Sequence, residues 1–228
     1  MAKRKKKSRK QLLSTNDEFI TLSGKLLRYA GEHKKPLYIA GYCILALVIL
    51  YMAGNFYFKK IDTKAQEIYD AGYNTLSEDT KLDKSKEELT KSREDFAKVL
   101  ADYKGSKAAT LTLPQIAYID FLEKKYDDAI SMYQEYLNKT SEEPYSYYAL
   151  LALSVCFEEK GDYDKAINTL EKVKAGNDEY SKQQAMLSLA RIYRLKNDYA
   201  KSNEILKDFI AKFPESTSLP IAKAALTS

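Results

Sequence analysis

The residue types that carry out covalent and acid–base chemistry are scarce in this sequence and far apart. Among 228 residues there are one histidine and two cysteines. His33 precedes a long apolar run, Cys43 lies inside it, and Cys156 stands between Val155 and Phe157. Nucleophilic catalysis needs a base within hydrogen-bond reach, and zinc needs several ligands converging on one point. Three residues so placed supply neither. Cys156 reads as a small core residue, and its distance from Cys43 leaves no disulfide framework. The carboxylates occur as neighbours: Asp127-Asp128, Glu142-Glu143 and Glu158-Glu159. Adjacent residues on a helix diverge by about 100° and do not meet at one substrate. The 8 glycines are scattered, which excludes a phosphate-cradling loop. The expectation is a chain with no catalytic, cofactor-binding or metal-ligating residue, and not an enzyme.

The elements themselves then carry the information. Low glycine and proline, 8 and 5 residues, favour long helices. Leu37 to Phe58 is 22 residues without a charge. As a helix it would be about 33 Å long, enough to cross a hydrocarbon core of about 30 Å. Lys34 and Lys35 precede it, and Lys59 and Lys60 follow it. Tyr38 and Tyr42 at one end, and Phe56, Tyr57 and Phe58 at the other, suit interfacial aromatic belts. A cleaved signal peptide is disfavoured by the length of the apolar region, by the 36 residues before it, and by the lack of a small-x-small site after it. Tyr42 before Cys43 argues against a lipoprotein acylation site. The reading is an uncleaved signal-anchor.

Charge sets its orientation. Residues 1–35 hold eleven Lys/Arg and three acids, a net of +8, and residues 36–228 have a net of −3. Basic flanks stay in the cytoplasm, so the C-terminal body is expected on the other side, which in a bacterium is the periplasm. The run Lys3-Arg4-Lys5-Lys6-Lys7-Ser8-Arg9-Lys10 has the composition of a nuclear-localisation or nucleic-acid segment. Beside an apolar span it is better read as a topogenic tail touching anionic lipid, with no nucleic-acid partner. Thr15-Asn16-Asp17-Glu18 has the form of a capping box. Phe19, Leu22, Leu26, Leu27 and Ala30 follow at helical spacing, which predicts a short amphipathic helix ending near Gly31.

Beyond the span, apolar residues recur at three and four, the helical period. Three segments align at offsets of 37 and 36 residues. Each has a small residue repeated twelve positions later: Ala117 and Ala129, Ser154 and Ala166, Ala190 and Ser202. Tyr126, Tyr163 and Tyr199 each stand three before the second small residue. Small residues let two antiparallel helices approach, and the aromatic fills the space beside the turn. Lys160-Gly161-Asp162 and Lys196-Asn197-Asp198 mark two of the turns, with a residue tolerant of the left-handed conformation followed by an aspartate able to cap the next helix. A degenerate first hairpin is expected from Ile61–Leu76 and Leu82–Tyr103, and a capping helix over Ile221–Leu226.

These residues are similar to the tetratricopeptide repeat. The likeness lies in Leu153, Ser154, Phe157 and Leu189, Ala190, Tyr193, in the Gly161–Ala166 turn, and in Pro214. It covers residues 107–216. It departs where bulky Tyr136, Val173 and Phe209 replace a small residue, where Asp120 replaces an aromatic, and in loops two or three residues longer than the usual period. With the anchor included, the chain resembles the YfgM-like family of bacterial inner-membrane proteins, and its repeats are similar to those of the envelope proteins BamD and CpoB. The resemblance implies a C-terminal body in the periplasm and an ancillary role at the SecYEG translocon with contacts to periplasmic chaperones.

The expected architecture is all-α, a transmembrane helix followed by a solenoid of three to four hairpins. Its segments are residues 1–35 (basic cytoplasmic arm), 37–58 (span), 60–106 (linker helix and degenerate first repeat) and 107–228 (repeats with a capping helix). The first helix of each hairpin lines the concave side of such arrays. Tyr118, Phe121, Tyr148, Leu151, Val155, Glu158, Glu159, Leu187, Arg191 and Arg194 are therefore the candidate protein- or peptide-binding residues. Two functions compete: a protein-binding envelope adaptor assisting secretion or chaperone hand-over, and a self-associating structural or envelope-assembly and cell-division accessory.

Overall fold

The computed structural model describes residues 24–25, 28–29, 31–77 and 85–227. The basic run, the capping box at Thr15–Glu18 and the apolar residues of the amphipathic segment lie outside them. The chain divides into two compact units, Met1–Lys59 and Lys60–Ser228.

In the first unit, residues 28–29 and 31–32 are helical and the helix breaks at His33. The His33 N–H donates to the Tyr29 carbonyl at 3.0 Å, and the two rings stack with centroids 4.3 Å apart. α1 (Lys34–Ser77) begins next, with Pro36 in its first turn, where a missing N–H leaves no bond unmade. Its most apolar 18-residue stretch has a mean hydropathy of 2.1, and none of that stretch is buried. By length and composition it is able to cross a membrane.

The second unit is built of helical hairpins. The last part of α1 packs through Ala65 and Leu76 against α2 (Lys86–Asp102) and α3 (Lys107–Leu122). α2 starts later than the expected Leu82, because Ser85 is its N-cap. The Glu88 N–H donates to Ser85 Oγ at 3.2 Å, and the Ser85 N–H donates to Glu88 Oε2 at 2.8 Å. α3 pairs with α4 (Tyr126–Lys139), α5 (Tyr145–Glu159) with α6 (Tyr163–Lys174), and α7 (Glu179–Leu195) with α8 (Tyr199–Lys212). α9 (Leu219–Thr227) covers the end of α8 through Ala222. Successive hairpins stack by α4 on α5 and α6 on α7. Every regular element among the described residues is a helix.

The small residues act where the spacing predicts. Ala117, Ala129, Ser154, Ala166, Ala190 and Ser202 are all buried. Tyr136, Val173 and Phe209, the bulky replacements, are buried as well, so the departures from the repeat pattern are core residues. Gly176 fits against the phenol end of Tyr147, where any Cβ would collide with the ring and its hydroxyl.

The three hairpin turns share one geometry. Lys124, Gly161 and Asn197 have φ of 61°, 75° and 61°. In each the next N–H reaches back across the turn at 2.8 Å: Lys125 to the Asp120 carbonyl, Asp162 to Phe157, Asp198 to Tyr193. This is the Schellman closure of a helix end. Asp162 and Asp198 then cap α6 and α8, as expected, whereas Lys125 provides no side-chain cap for α4. The first turn was not legible, because lysine carries no left-handed preference. Lys124→Gly removes that strain and is expected to stabilise the chain by about 0.5–1 kcal/mol. Thermal unfolding of the detergent-solubilised chain should show a raised midpoint; a fall would mean the lysine side chain makes a contact worth more than the strain.

Candidate partner-binding surface

Tyrosines converge where the end of α1 meets α3, α4 and α5. Tyr69 and Tyr73 lie one turn apart on α1, their rings stacked at 6.0 Å and 15°. Tyr118 comes from α3, Tyr133 and Tyr136 from α4, and Tyr145 and Tyr148 from α5. With Lys107, Thr110, Leu111, Pro114, Gln115, Lys139, Thr140, Glu142, Ala149 and Ala152 they line a groove of about 880 Å³. Tyr133 and Tyr136 are buried and form its floor, while Tyr73, Tyr118, Tyr145 and Tyr148 are exposed walls. Gln115 Nε2 donates to Tyr69 Oη at 3.3 Å. Pro114 sits inside α3 and has no N–H to give to the Thr110 carbonyl on the same wall.

Burial acts on three of these phenols. It pushes Tyr69 up to about 12, against the lowering effect of Gln115, and raises Tyr133 and Tyr136 too. They are neutral donors at any physiological pH. Cys156, the buried thiol nearby in the core, is pushed up to about 11 by burial and is not a ready thiolate.

Of the ten candidate residues, the structure brings Tyr118 and Tyr148 together in the groove. Phe121, Leu151 and Leu187 pack against the core, and Val155 is half-buried. Glu158 takes a two-pronged bond from Arg191 of the next hairpin. Glu159 accepts from Tyr126 Oη at 3.3 Å. Arg194 donates to Ser202 Oγ at 3.3 Å and to the Ala225 carbonyl of α9, and it lies over the Tyr199 ring. Glu158, Glu159 and Arg191 thus join hairpin to hairpin, and Arg194 ties the last hairpin to α9. Tyr69, Tyr73, Tyr133, Tyr136 and Tyr145 also line the groove and are not among the ten candidates. Their signal was spacing: tyrosines at i,i+4 on α1 and at i,i+3 on α4 and α5, in a chain with 19 tyrosines and no tryptophan.

A charge pattern also repeats between hairpins. Asp127 at the start of α4 pairs with Lys160 after α5, and Asp164 at the start of α6 pairs with Lys196 after α7. The Asp164 bond holds the Lys196 ammonium above its ordinary value. At the first junction the signs reverse. Arg93 of α2 binds Asp120 at 2.8 Å and Glu123 at 2.9 Å. Burial nonetheless raises the Asp120 carboxyl above its ordinary value, with Arg93 opposing the rise. Lys125 holds the Glu123 carboxyl below its own.

Stacked hairpins with small residues at their crossings define a tetratricopeptide-type helical solenoid, a fold that is typically a non-enzymatic protein–protein interaction scaffold. Residues 38–177 match the tetratricopeptide repeat-like domain family, and residues 184–216 match a tetratricopeptide repeat. The chain belongs to the tetratricopeptide repeat-like domain family. It is similar in fold to a tetratricopeptide repeat protein from Parabacteroides merdae, with 16% identity and a TM-score of 0.58 over 72% of this chain and 59% of that one. It is also similar to a candidate kinesin light chain of nearly identical tetratricopeptide-like repeats from Podospora anserina, with 14% identity and a TM-score of 0.56 over 72% of this chain and 84% of that one. The chain therefore spans well under two thirds of the length of the Parabacteroides protein. No curated protein matches the sequence significantly.

Proposed function

We propose that this chain is a membrane-anchored scaffold of the bacterial envelope that binds other proteins. The apolar stretch of α1 is the anchor and the hairpin array is the docking body. The observation that carries the reading is the unburied apolar stretch of α1, which no packing among the described residues accounts for. The net +8 of residues 1–35 supports a cytoplasmic N-terminus and a periplasmic array. The resemblance to YfgM-like proteins favours an accessory role in secretion or chaperone hand-over, with translocon subunits or periplasmic chaperones as partners. Segments 1–35, 37–58, 60–106 and 107–228 divide these roles.

The test has two stages. Alkaline carbonate should leave the chain in the membrane pellet, and protease added to spheroplasts should digest the array but spare a short N-terminal fragment. Release by carbonate would remove the anchor, and protection of the array would reverse the topology. Crosslinking in native membranes, followed by capture through a C-terminal tag, should then recover secretion or chaperone components. Recovery of cell-wall or outer-membrane assembly proteins would keep the scaffold and change its process. Recovery of crosslinked multimers alone would replace partner binding with self-association.

A further inference from the structure

The tyrosine groove of about 880 Å³ is not accounted for by packing between hairpins, and its lining states what it accepts. The walls are aromatic but not aliphatic. Tyr73, Tyr118, Tyr145 and Tyr148 present exposed rings above the buried floor, and Leu111 is the one large aliphatic residue in the lining. Hydrogen-bond donors are plentiful in the lining. The tyrosine hydroxyls can donate, Lys107 and Lys139 add ammonium groups, and Glu142 is the one carboxylate among the lining residues.

We infer that this groove binds an extended proline-rich segment of another protein. A polyproline II chain makes no internal hydrogen bonds, and each proline offers a carbonyl but no N–H. Such a chain needs donors along its length, and the hydroxyl and ammonium groups of the groove supply them. Its pyrrolidine rings stack on flat aromatic walls, and it is already ordered before binding. An amphipathic helix satisfies its own backbone and would leave the phenols without partners. An acidic peptide is a poorer fit, because Lys139 is held by Glu135 at 2.8 Å and Glu142 stands in the lining. The chain cannot supply the occupant itself: Pro36, Pro114, Pro144, Pro214 and Pro220 are isolated. The inference rests on the scaffold reading and names the chemistry of one partner.

The experiment uses the full chain in detergent micelles and fluorescein-labelled decaproline, read by anisotropy. Equal-length acidic and amphipathic-helical peptides serve as controls. Decaproline should bind saturably and at least about tenfold more tightly than either control. Y118A and Y148A should each weaken it by about tenfold. Y118F and Y148F, which keep the rings and lose the donors, should fall between. Both residues are exposed, so unchanged circular dichroism is expected to verify the fold. Equal binding of the controls, or binding untouched in the alanine variants, would overturn the inference. If decaproline fails while native partners still crosslink to the full chain, the proline-rich assignment falls and the scaffold reading survives. If no partner crosslinks either, both fall.

Discussion

Phe209→Ala is expected to destabilise the array by about 3–5 kcal/mol, the cost of deleting a fully buried aromatic side chain and leaving a cavity. Phe209 has no exposed surface, packs with Leu206, Met186 and Ala222, and holds its ring 5.4 Å from that of Phe213. It connects α8 both to α7 and to the closing helix α9. The loss should therefore appear first at the C-terminal end. Amide exchange should quicken in α9 and α8 before α5 and α6, while the groove tyrosines keep their protection. Uniform loss across all hairpins would instead mean that the array unfolds as one unit. The smaller Phe209→Leu should recover most of the difference.

The second large effect is electrostatic. At the later junctions the positions equivalent to Arg93 and Asp120 are apolar: Ile130 with Phe157, and Ile167 with Tyr193. The first junction exchanges that pair for Arg93 and Asp120. Arg93→Ile leaves a carboxylate with only 5% of its side chain exposed and without its guanidinium. The expected loss at pH 7 is about 2–4 kcal/mol, below the usual cost of breaking a fully buried pair because Arg93 itself is partly exposed. The sign with pH follows from Asp120. Its carboxyl titrates above its unfolded value, so its contribution to stability is present below that value and is lost as pH rises through the folded one. Without Arg93 the carboxyl rises further, so the deficit grows over that window. It should be smaller at about pH 5 than at pH 7. The double variant Arg93→Ile, Asp120→Phe restores the apolar pair and should lie within about 1 kcal/mol of the wild type. Denaturant titrations of the three chains at both pH values check this. A double variant as unstable as the single one would mean that the first junction has no room for an aromatic side chain.

The sequence made the hairpins legible because their constraints are local and repeated. Ala117 with Ala129, Ser154 with Ala166 and Ala190 with Ser202 advertise a close crossing, and Gly161 and Asn197 advertise the turn after it. Lys124 takes the same left-handed turn without a residue type that signals it, since the flanking bonds impose the conformation. The groove was half legible. Tyr118 and Tyr148 could be assigned to first helices by spacing alone. Tyr69 and Tyr73 could not, because their helix enters the sequence as the continuation of an apolar span. Glu158, Arg191 and Arg194 fall on first helices as candidate binding residues, and whether such residues face a partner or the next hairpin depends on the offset between repeats. Asp120 looked like a defect in the motif until Arg93, 27 residues earlier, supplied its reason.

The sign reversal at the first junction gives the array a direction along which it can grow. Where Asp127 meets Lys160 and Asp164 meets Lys196, each hairpin offers an acid forward to a base that its successor presents backward. A duplicated copy of the α5–α6 hairpin would find complementary charge on both sides, so lengthening the middle meets no electrostatic barrier. Excising α3 and α4 is different. Arg93 would then meet Phe157 and Lys160 where it now meets Asp120 and Glu123, a cation facing a cation. The first hairpin is keyed to one successor, and the number of repeats is free to vary only beyond it.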